Sequence, residues 1–221
     1  MANLADELEA FTCDVVRRRG AEEASELFEG QIQAAYEAAV HQSALAELAR
    51  APDFSLCDSL GDSLSLRGLL KAGPAILVFY RGSWCPYCNI QLRALSLALD
   101  EIDAMGGTLV AISPEAPDPA LLDDPKRHLG FPVLFDRGNL VAREFGLVFT
   151  MSDRARALLL KVGIDLEERN ANGSWELPVP ATFVVTPDGT IAARFLDVDY
   201  RKRPEPRAIL AALKECAIST S

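Results

Sequence analysis

The feature that most constrains this chain is a pair of cysteines, Cys85 and Cys88, that follows a short apolar run directly. The run, residues 74–80, is flanked by glycines and predicts a strand buried on both faces. After Cys88, apolar residues recur at spacings of three and four, which predicts an amphipathic helix. The pair therefore lies where a buried strand ends and a helix begins. Pro86 suits the first helical turn, because proline has no N–H to lose there.

The Cys-x-x-Cys spacing at a helix start suits thiol–disulfide chemistry. Free N–H groups in the first turn stabilise a thiolate and lower its pKa. One sulfur can then attack, and the second can close a disulfide with it. A zinc site is the alternative, but it needs two more ligands, and only His41, His128 and three scattered cysteines are available. We therefore expect a redox pair, with no metal and no cofactor.

Other residues near the pair in sequence have two interpretations each. Arg81 could hold a thiolate, or it could be a solvated or salt-bridged arginine. Trp84 and Tyr87 could form an apolar collar around the sulfurs, or they could belong to the core. Pro180 precedes a predicted strand, where it could be cis and lie beside the thiols, or could stand in a plain turn.

Composition excludes several classes of protein. The net charge is −10 and the basic residues are scattered, so we expect no nucleic-acid partner and no anionic membrane surface. The chain has no run of roughly 18 apolar residues and an acidic start, so we expect neither a membrane span nor a signal peptide. Five cysteines is an odd number, which disfavours a disulfide framework and favours a reducing cytoplasm.

The length of 221 residues suits one core domain with an extension. We predict a helical N-terminal extension over residues 1–50, a redox domain over residues 51–217 and a tail over residues 218–221. The apolar faces of the extension could dock on the same chain or form a dimer contact. The arginines at 17–19 are expected to end the first helix before Gly20, where they complement the helix dipole.

Periodicity and turn signals predict the remaining elements. The residues at 108–113 predict a second buried strand, parallel to the first through the cysteine helix. The other predicted strands are residues 53–56, 63–66, 131–136, 181–186 and 190–195. The predicted helices are residues 4–19, 21–40, 43–50, 118–129, 139–145, 152–161 and 206–217, with an irregular stretch over residues 163–175.

Four segments, FYRGSWCPYC, AISPE, FPVLFD and PATFVVTPDGT, occur in this order. Together they resemble the peroxiredoxin-like branch of the alkyl hydroperoxide reductase/thiol-specific antioxidant family, within the thioredoxin-like superfamily. The likeness spans about residues 51–213. It implies an α/β fold of the thioredoxin-like (peroxiredoxin-like) type, with a central mixed sheet flanked by helices and here preceded by extra helices. It also implies an antioxidant oxidoreductase.

The chain departs from the family pattern at two places. Peroxiredoxins carry Thr-x-x-Cys here, and the ungapped superposition puts Cys88 on the peroxide-attacking cysteine and Cys85 on the threonine. The family also uses an arginine ahead of the late strand, where this chain has Pro180 and Ala181 before Thr182. In those respects the segment looks like the cis-proline region of thioredoxins, and WCPYC looks like their active-site motif.

The resemblance therefore leaves three interpretations open. In a peroxidase, Cys88 attacks the peroxide, becomes a sulfenic acid and condenses with Cys85. In a disulfide reductase, Cys85 attacks a substrate disulfide and Cys88 releases it. In a redox sensor, the disulfide switches an interaction. Arg81, Ser83 or a partner could replace the missing polar groups. The expected partners are a hydroperoxide or disulfide substrate and a thioredoxin-type or small-thiol reductant, and the chain could form a homodimer.

Overall fold

The computed structural model describes residues 3–117 and 129–218. Within these ranges the strands are β1 (Ser55–Asp58), β2 (Ser63–Ser65), β3 (Ala75–Phe79), β4 (Thr108–Ser113), β5 (Val133–Phe135), β6 (Val148–Thr150), β7 (Glu176–Pro178), β8 (Ala181–Val185) and β9 (Ile191–Leu196). The helices are α1 (Leu4–Arg19), α2 (Ala21–Glu37), α3 (Val40–Ser43), α4 (Leu66–Leu70), α5 (Pro86–Ser96), α6 (Leu99–Ala104), α7 (Leu140–Glu144), α8 (Asp153–Lys161), α9 (Leu166–Arg169) and α10 (Pro206–Ile218).

Seven of the strands form one mixed sheet in the order β2-β1-β5-β4-β3-β8-β9. Strand β4 runs parallel to β3 and to β5, and the other neighbours in this sheet are antiparallel. The chain passes from β3 to β4 through α5 and α6, so the predicted strand–helix–strand unit is confirmed. The central mixed sheet expected from the resemblance is also confirmed. The cysteine segment therefore follows the carboxyl end of the central strand β3.

The side chains of β3 are buried on both faces of the sheet, as its continuous apolar run predicted. Ile76 and Val78 belong to the core that also contains Cys85 and Cys88. Leu77 and Phe79 point to the opposite face and belong to a second core. The cysteine pair is thus built into one of the two main cores and is not attached to a surface loop.

The helices α1 and α2 form a hairpin, which we call the N-terminal hairpin. It turns at Gly20, whose N–H donates to the Val16 carbonyl at 2.9 Å, and the arginines at 17–19 end α1 as predicted. The hairpin docks on the same chain, which was one of the two expectations for its apolar face. It contributes four buried side chains to the core that holds the two cysteines: Leu4, Leu8, Ala24 and Phe28.

The helix predicted over residues 43–50 is wrong. Helix α3 ends at Ser43, and the next residues run beside the start of β9. The N–H of Leu48 donates to the Ile191 carbonyl at 2.8 Å, and the N–H of Ile191 donates to the Ala49 carbonyl at 2.9 Å. Pairing with an edge strand satisfies these backbone groups, and this tertiary contact overrides the local helix propensity.

The small antiparallel sheet of β6 and β7 was not predicted, because its short strands come from segments far apart in sequence. The stretch predicted as irregular, residues 163–175, contains the single-turn helix α9. The helix predicted over residues 118–129 lies outside the described residues except for Leu129. The other predicted strands and helices are present, with ends shifted by a few residues. In the described ranges, no helix combines the length and apolar character that crossing a membrane requires.

Gly146 follows α7 and packs against the backbone at the end of α3. Its φ is +71°, and an added Cβ would lie 2.1 Å from the Ser43 carbonyl oxygen, a backbone atom. We expect Gly146→Ala to lower the free energy of unfolding by about 2–4 kcal/mol, since it adds a backbone clash to the left-handed conformation. Gly163 is the matched control, because its φ is +77° and nothing lies within 4 Å of an added Cβ. Gly163→Ala should cost only about 1–2 kcal/mol. Denaturant unfolding measures both, and equal losses would contradict the clash.

Candidate active site

Cys85 caps the amino terminus of α5, and Pro86 occupies the first turn, as the sequence predicted. The carbonyl of Cys85 accepts the N–H of Asn89 at 3.1 Å, which starts the helical hydrogen-bonding pattern. Both cysteines are free thiols, with exposed fractions of 2% for Cys85 and 0% for Cys88. The sulfurs therefore lie at the positive end of a helix of 11 residues and are shielded from water.

Arg203 contacts Cys88 and was not among the site residues predicted from the sequence. Its Nη2 donates to the Cys88 sulfur at 3.7 Å. Arg203 stands between β9 and α10, in a loop whose turn is closed by Asp199, which accepts from the Arg201 backbone N–H at 3.1 Å and from its Nε at 2.8 Å. The basic run at 201–203 was the only sequence signal. An arginine thus reaches the Cys88 sulfur, but it comes from a different segment than in the family pattern.

Arg81 is a second cation in the site and is 1% exposed, so it is not a solvated surface residue. Its guanidinium lies 4.2 Å from the ring centroid of Tyr200 and 5.0 Å from that of Trp84. It donates through Nη2 to the side-chain oxygen of Gln31 in α2. These described partners are an amide and two aromatic rings, and no carboxylate is among them. The charge is therefore held by cation–π contacts and one polar side chain.

The two sulfurs have opposite acid–base properties. Burial raises the pKa of Cys88, but the hydrogen bond from Cys85, the charges of Arg203 and Arg81 and the backbone N–H of Arg81 outweigh it. The pKa of Cys88 falls to about 6. Burial and the neighbouring Cys88 sulfur raise the pKa of Cys85 well above its ordinary value. The nearby cations and the Cys85 donor thus favour the thiolate at Cys88, whereas burial and the neighbouring sulfur favour the neutral thiol at Cys85.

The aromatic residues of the WCPYC segment differ in their contacts. The Tyr87 hydroxyl lies 3.0 Å from the Thr12 hydroxyl, and the Tyr87 ring packs on three other aromatic rings: Phe11, Phe28 and Tyr200. Tyr87 thus points into the N-terminal hairpin and belongs to the core, one of its two predicted interpretations. Trp84 is partly buried and covers Arg81. It therefore supports a charged neighbour of the sulfurs.

Ser83 contributes through its backbone in the described contacts. Its N–H donates to a side-chain oxygen of Glu115, and its carbonyl accepts from the side-chain amide of Asn89 at 2.7 Å. Glu115 is itself paired with Arg169 at 3.1 Å. Glu115 belongs to the AISPE segment at the carboxyl end of β4, so that segment fixes the loop that leads to Cys85.

Pro180 directly precedes β8, and Thr182 lies within that strand. The described ranges contain no cis peptide bond, so the bond before Pro180 is trans and the cis alternative is not what the structure has. Pro180 comes directly before Ala181, which pairs with Phe79, the last residue of β3. Thr182 is fully buried, and its hydroxyl accepts from the side-chain amide of Gln91 in α5 at 3.4 Å. Thr182 therefore braces the cysteine helix against the sheet.

A known protein family covers most of this chain. A model described as the AhpC/TSA family matches residues 48–194. The chain belongs to the AhpC/TSA family. The matched range includes Cys85, Cys88 and Pro180. Both Gln31 and Arg203, which contribute to the site, lie outside it.

Curated relatives in this family include peroxiredoxins. The chain is 31% identical over 117 residues to the chloroplastic peroxiredoxin Q of Populus jackii, which covers 51% of this chain and 54% of that protein. It is 32% identical over 98 residues to peroxiredoxin Bcp of Escherichia coli (strain K12), which covers 44% and 62%. The chain thus spans between about half and two thirds of the length of these relatives.

Solved structures share the fold. Peroxidoxin BcpB from Mycobacterium tuberculosis superposes with a TM-score of 0.59 at 22% identity, over 77% of this chain and 97% of that chain. A peroxiredoxin-like protein from Aquifex aeolicus superposes with a TM-score of 0.60 at 13% identity, over 78% and 88%. The thioredoxin-like, peroxiredoxin-type fold expected from the sequence is confirmed.

Proposed function

We propose that this protein is a thiol peroxidase that reduces hydrogen peroxide or organic hydroperoxides, with Cys88 as the attacking thiolate and Cys85 as the resolving thiol. The observation that carries the proposal is the contact between Arg203 and the Cys88 sulfur, reinforced by the buried charge of Arg81. Two cations act on one sulfur, and the neighbouring thiol donates to it. Membership of the AhpC/TSA family and the similarity to peroxiredoxins support the same reaction.

The proposed reaction needs no group beyond the two thiols and a reductant. The Cys88 thiolate attacks one peroxide oxygen, so an S–O bond forms and the O–O bond breaks. Sulfur is oxidised by two electrons to a sulfenic acid, and the departing alkoxide or hydroxide takes a proton to leave as alcohol or water. Cys85 then attacks the Cys88 sulfur, which releases water and forms the disulfide. A dithiol or two small thiols return the two electrons by thiol–disulfide exchange.

A disulfide reductase would require the opposite assignment of the sulfurs. Its attacking thiolate would be Cys85, whose pKa is raised by burial and by Cys88. The thiolate is the nucleophile in thiol chemistry, so a neutral Cys85 is a poor attacking group at neutral pH. The acid–base asymmetry therefore favours the peroxidase over the reductase.

Trapping the intermediates tests the assignment. We expect Cys85→Ser treated with one equivalent of hydroperoxide to form a sulfenic acid at Cys88, detected as a dimedone adduct by peptide mass spectrometry. Serine keeps a hydroxyl that can donate to the thiolate. Cys88→Ser should give no adduct at Cys85. If Cys88→Ser instead traps mixed disulfides with a protein substrate through Cys85, the reductase is correct. If both variants are inert and oxidation of the unmodified protein changes its oligomeric state, the protein is a sensor.

The remaining assignments belong to the same proposal. We infer a thioredoxin-type or small-thiol reductant, since a Cys85–Cys88 disulfide must be opened by an attacking thiol. We place the reaction in the cytoplasm, because Cys13, Cys57, Cys85 and Cys88 are free thiols in the described structure. A homodimer stays a prediction, and analytical ultracentrifugation of the reduced and oxidised protein tests it.

A further inference from the structure

Gln31 is a buried glutamine of the N-terminal hairpin, 2% exposed, and its side-chain amide is hydrogen-bonded within the protein. Its side-chain oxygen accepts from Nη2 of Arg81. Its side-chain nitrogen donates to the Leu27 carbonyl at 2.7 Å and lies 3.3 Å from the Tyr200 hydroxyl. The bond to the Leu27 carbonyl fixes the orientation of the amide, because only the amide nitrogen can donate to a carbonyl oxygen. The oxygen is thereby presented to the guanidinium.

Docking of the hairpin does not depend on this residue. Apolar side chains of α1 and α2 are buried in the main core, and ion pairs join the rim, such as Glu7 with Arg93 at 2.9 Å and Glu29 with Arg201 at 3.7 Å. A buried polar amide weakens packing unless it is hydrogen-bonded. An apolar residue of the same size would serve docking equally well. The amide therefore has a role other than docking.

We propose that Gln31 is a positioning residue of the cysteine site, which holds the Arg81 guanidinium in place over Tyr200, where its charge favours the Cys88 thiolate. The N-terminal hairpin then completes the active site and is not an appended module. This inference rests on the assignment of Cys88 as the reactive thiolate. Arg81 is buried and its Nε lacks a partner in the described structure, so loss of the Gln31 oxygen leaves the guanidinium to its contacts with the Tyr200 and Trp84 rings, over which it can shift.

The position of Arg81 matters because few groups determine the charge state of Cys88. Among the described residues, the charged and titratable groups with the largest effects on it include Cys85, Arg203 and Arg81, and Tyr80 interacts with it as well. Tyr80 stays neutral, since burial raises its pKa. A guanidinium that leaves its place over Tyr200 removes one of two cations near a fully buried sulfur.

The test is the Gln31→Met variant, which keeps the length of the side chain and removes the acceptor. We expect the pKa of Cys88 to rise by at least about 0.5 unit, by analogy with the shifts that a nearby opposite charge causes. The measurement is the pH dependence of iodoacetamide alkylation at Cys88, followed by peptide mass spectrometry, which needs no peroxide. Gln31→Leu is a second variant with the same expectation if Gln31→Met does not fold.

Two controls separate positioning from stability. Gln33 is exposed on the same helix and bonds Glu37, so Gln33→Met should leave the pKa of Cys88 unchanged. In an Arg81→Met background, Gln31→Met should cause no further shift. A Gln31→Met variant that melts earlier but keeps the wild-type pKa overturns the inference, as does an equal shift without Arg81. If unmodified Cys88 titrates as an ordinary thiol, the proposed function fails as well, so the two failures are distinguishable.

Discussion

Replacement of Cys88 by serine is expected to lower steady-state hydroperoxide consumption by at least about 10³-fold, the order of loss seen when a catalytic nucleophile is removed. A serine at position 88 cannot form a thiolate. Cys85 cannot take over the reaction, because burial raises the pKa of Cys85. Cys85→Ser should behave differently. Its Cys88 still reacts with one equivalent of peroxide, but turnover stops because no thiol within the site closes the disulfide. Stopped-flow measurement of peroxide loss distinguishes a burst of one equivalent from no reaction.

Cys57 provides the matched control for this pair of variants. It is an exposed free cysteine in β1, so Cys57→Ser removes a thiol without touching the site. Its turnover should equal that of the unmodified protein. If Cys85→Ser and Cys88→Ser lose activity equally in the burst as well as in turnover, then Cys88 is not the sulfur that meets the peroxide.

The parts of the fold that were predictable are those that local sequence specifies. The apolar run before Cys85, the spacing after Cys88 and Pro86 in the first turn defined the strand, the helix and the position of the thiols at their junction. The segment after α3 shows the limit, since its helical propensity lost to backbone pairing with Ile191. Such pairing depends on a strand about 140 residues away, which no local window contains.

Only part of the site could be predicted from the sequence, for a related reason. From the sequence, Arg81, Ser83 or a partner could replace the two missing polar groups of the family, and the first fifty residues had no chemical role. The structure brings Gln31 and Arg203 to Arg81 and Cys88 from opposite ends of the chain. Both lie outside the matched family range, so neither motif nor resemblance could select them. Arg81 is buried, and its described partners include no carboxylate, a feature that only the three-dimensional structure shows.

Arg203 is the residue on which the acid–base asymmetry depends most directly. Its Nη2 lies 3.7 Å from the Cys88 sulfur, whereas the Arg81 side chain is turned toward Gln31 and Tyr200. A full charge at about 4 Å acts strongly where water is excluded, and an opposite charge at this range lowers an acid's pKa by roughly 1–3 units. Burial works in the other direction on a sulfur with 0% exposure. Without Arg203, burial should offset more of the lowering, and the pKa of Cys88 should rise toward its ordinary value.

We therefore expect Arg203→Met to raise the pKa of Cys88 from about 6 by roughly 1–2 units. Because the thiolate is the reactive form, the rate of the first step falls as pH drops through the pKa. At pH near 6 the variant should be slower by about 5- to 50-fold, and at pH near 9 the two rates should converge. Pre-steady-state peroxide reduction across this pH range measures the shift. Arg203→Lys keeps the charge and should restore much of the low pKa of Cys88.

Lys202 is the matched control, since it is the adjacent cation, is exposed and pairs with Asp197 at 3.2 Å. Lys202→Met makes the same change in net charge, but solvent and salt screen an exposed charge, so the pH profile should not move. A rate that stays low for Arg203→Met even at pH near 9 would show that the guanidinium acts on the peroxide oxygens as well as on the thiolate. If the pH profile of Arg203→Met is identical to that of Lys202→Met, then Arg203 does not act on Cys88. The thiolate would then depend on Arg81 and the start of α5.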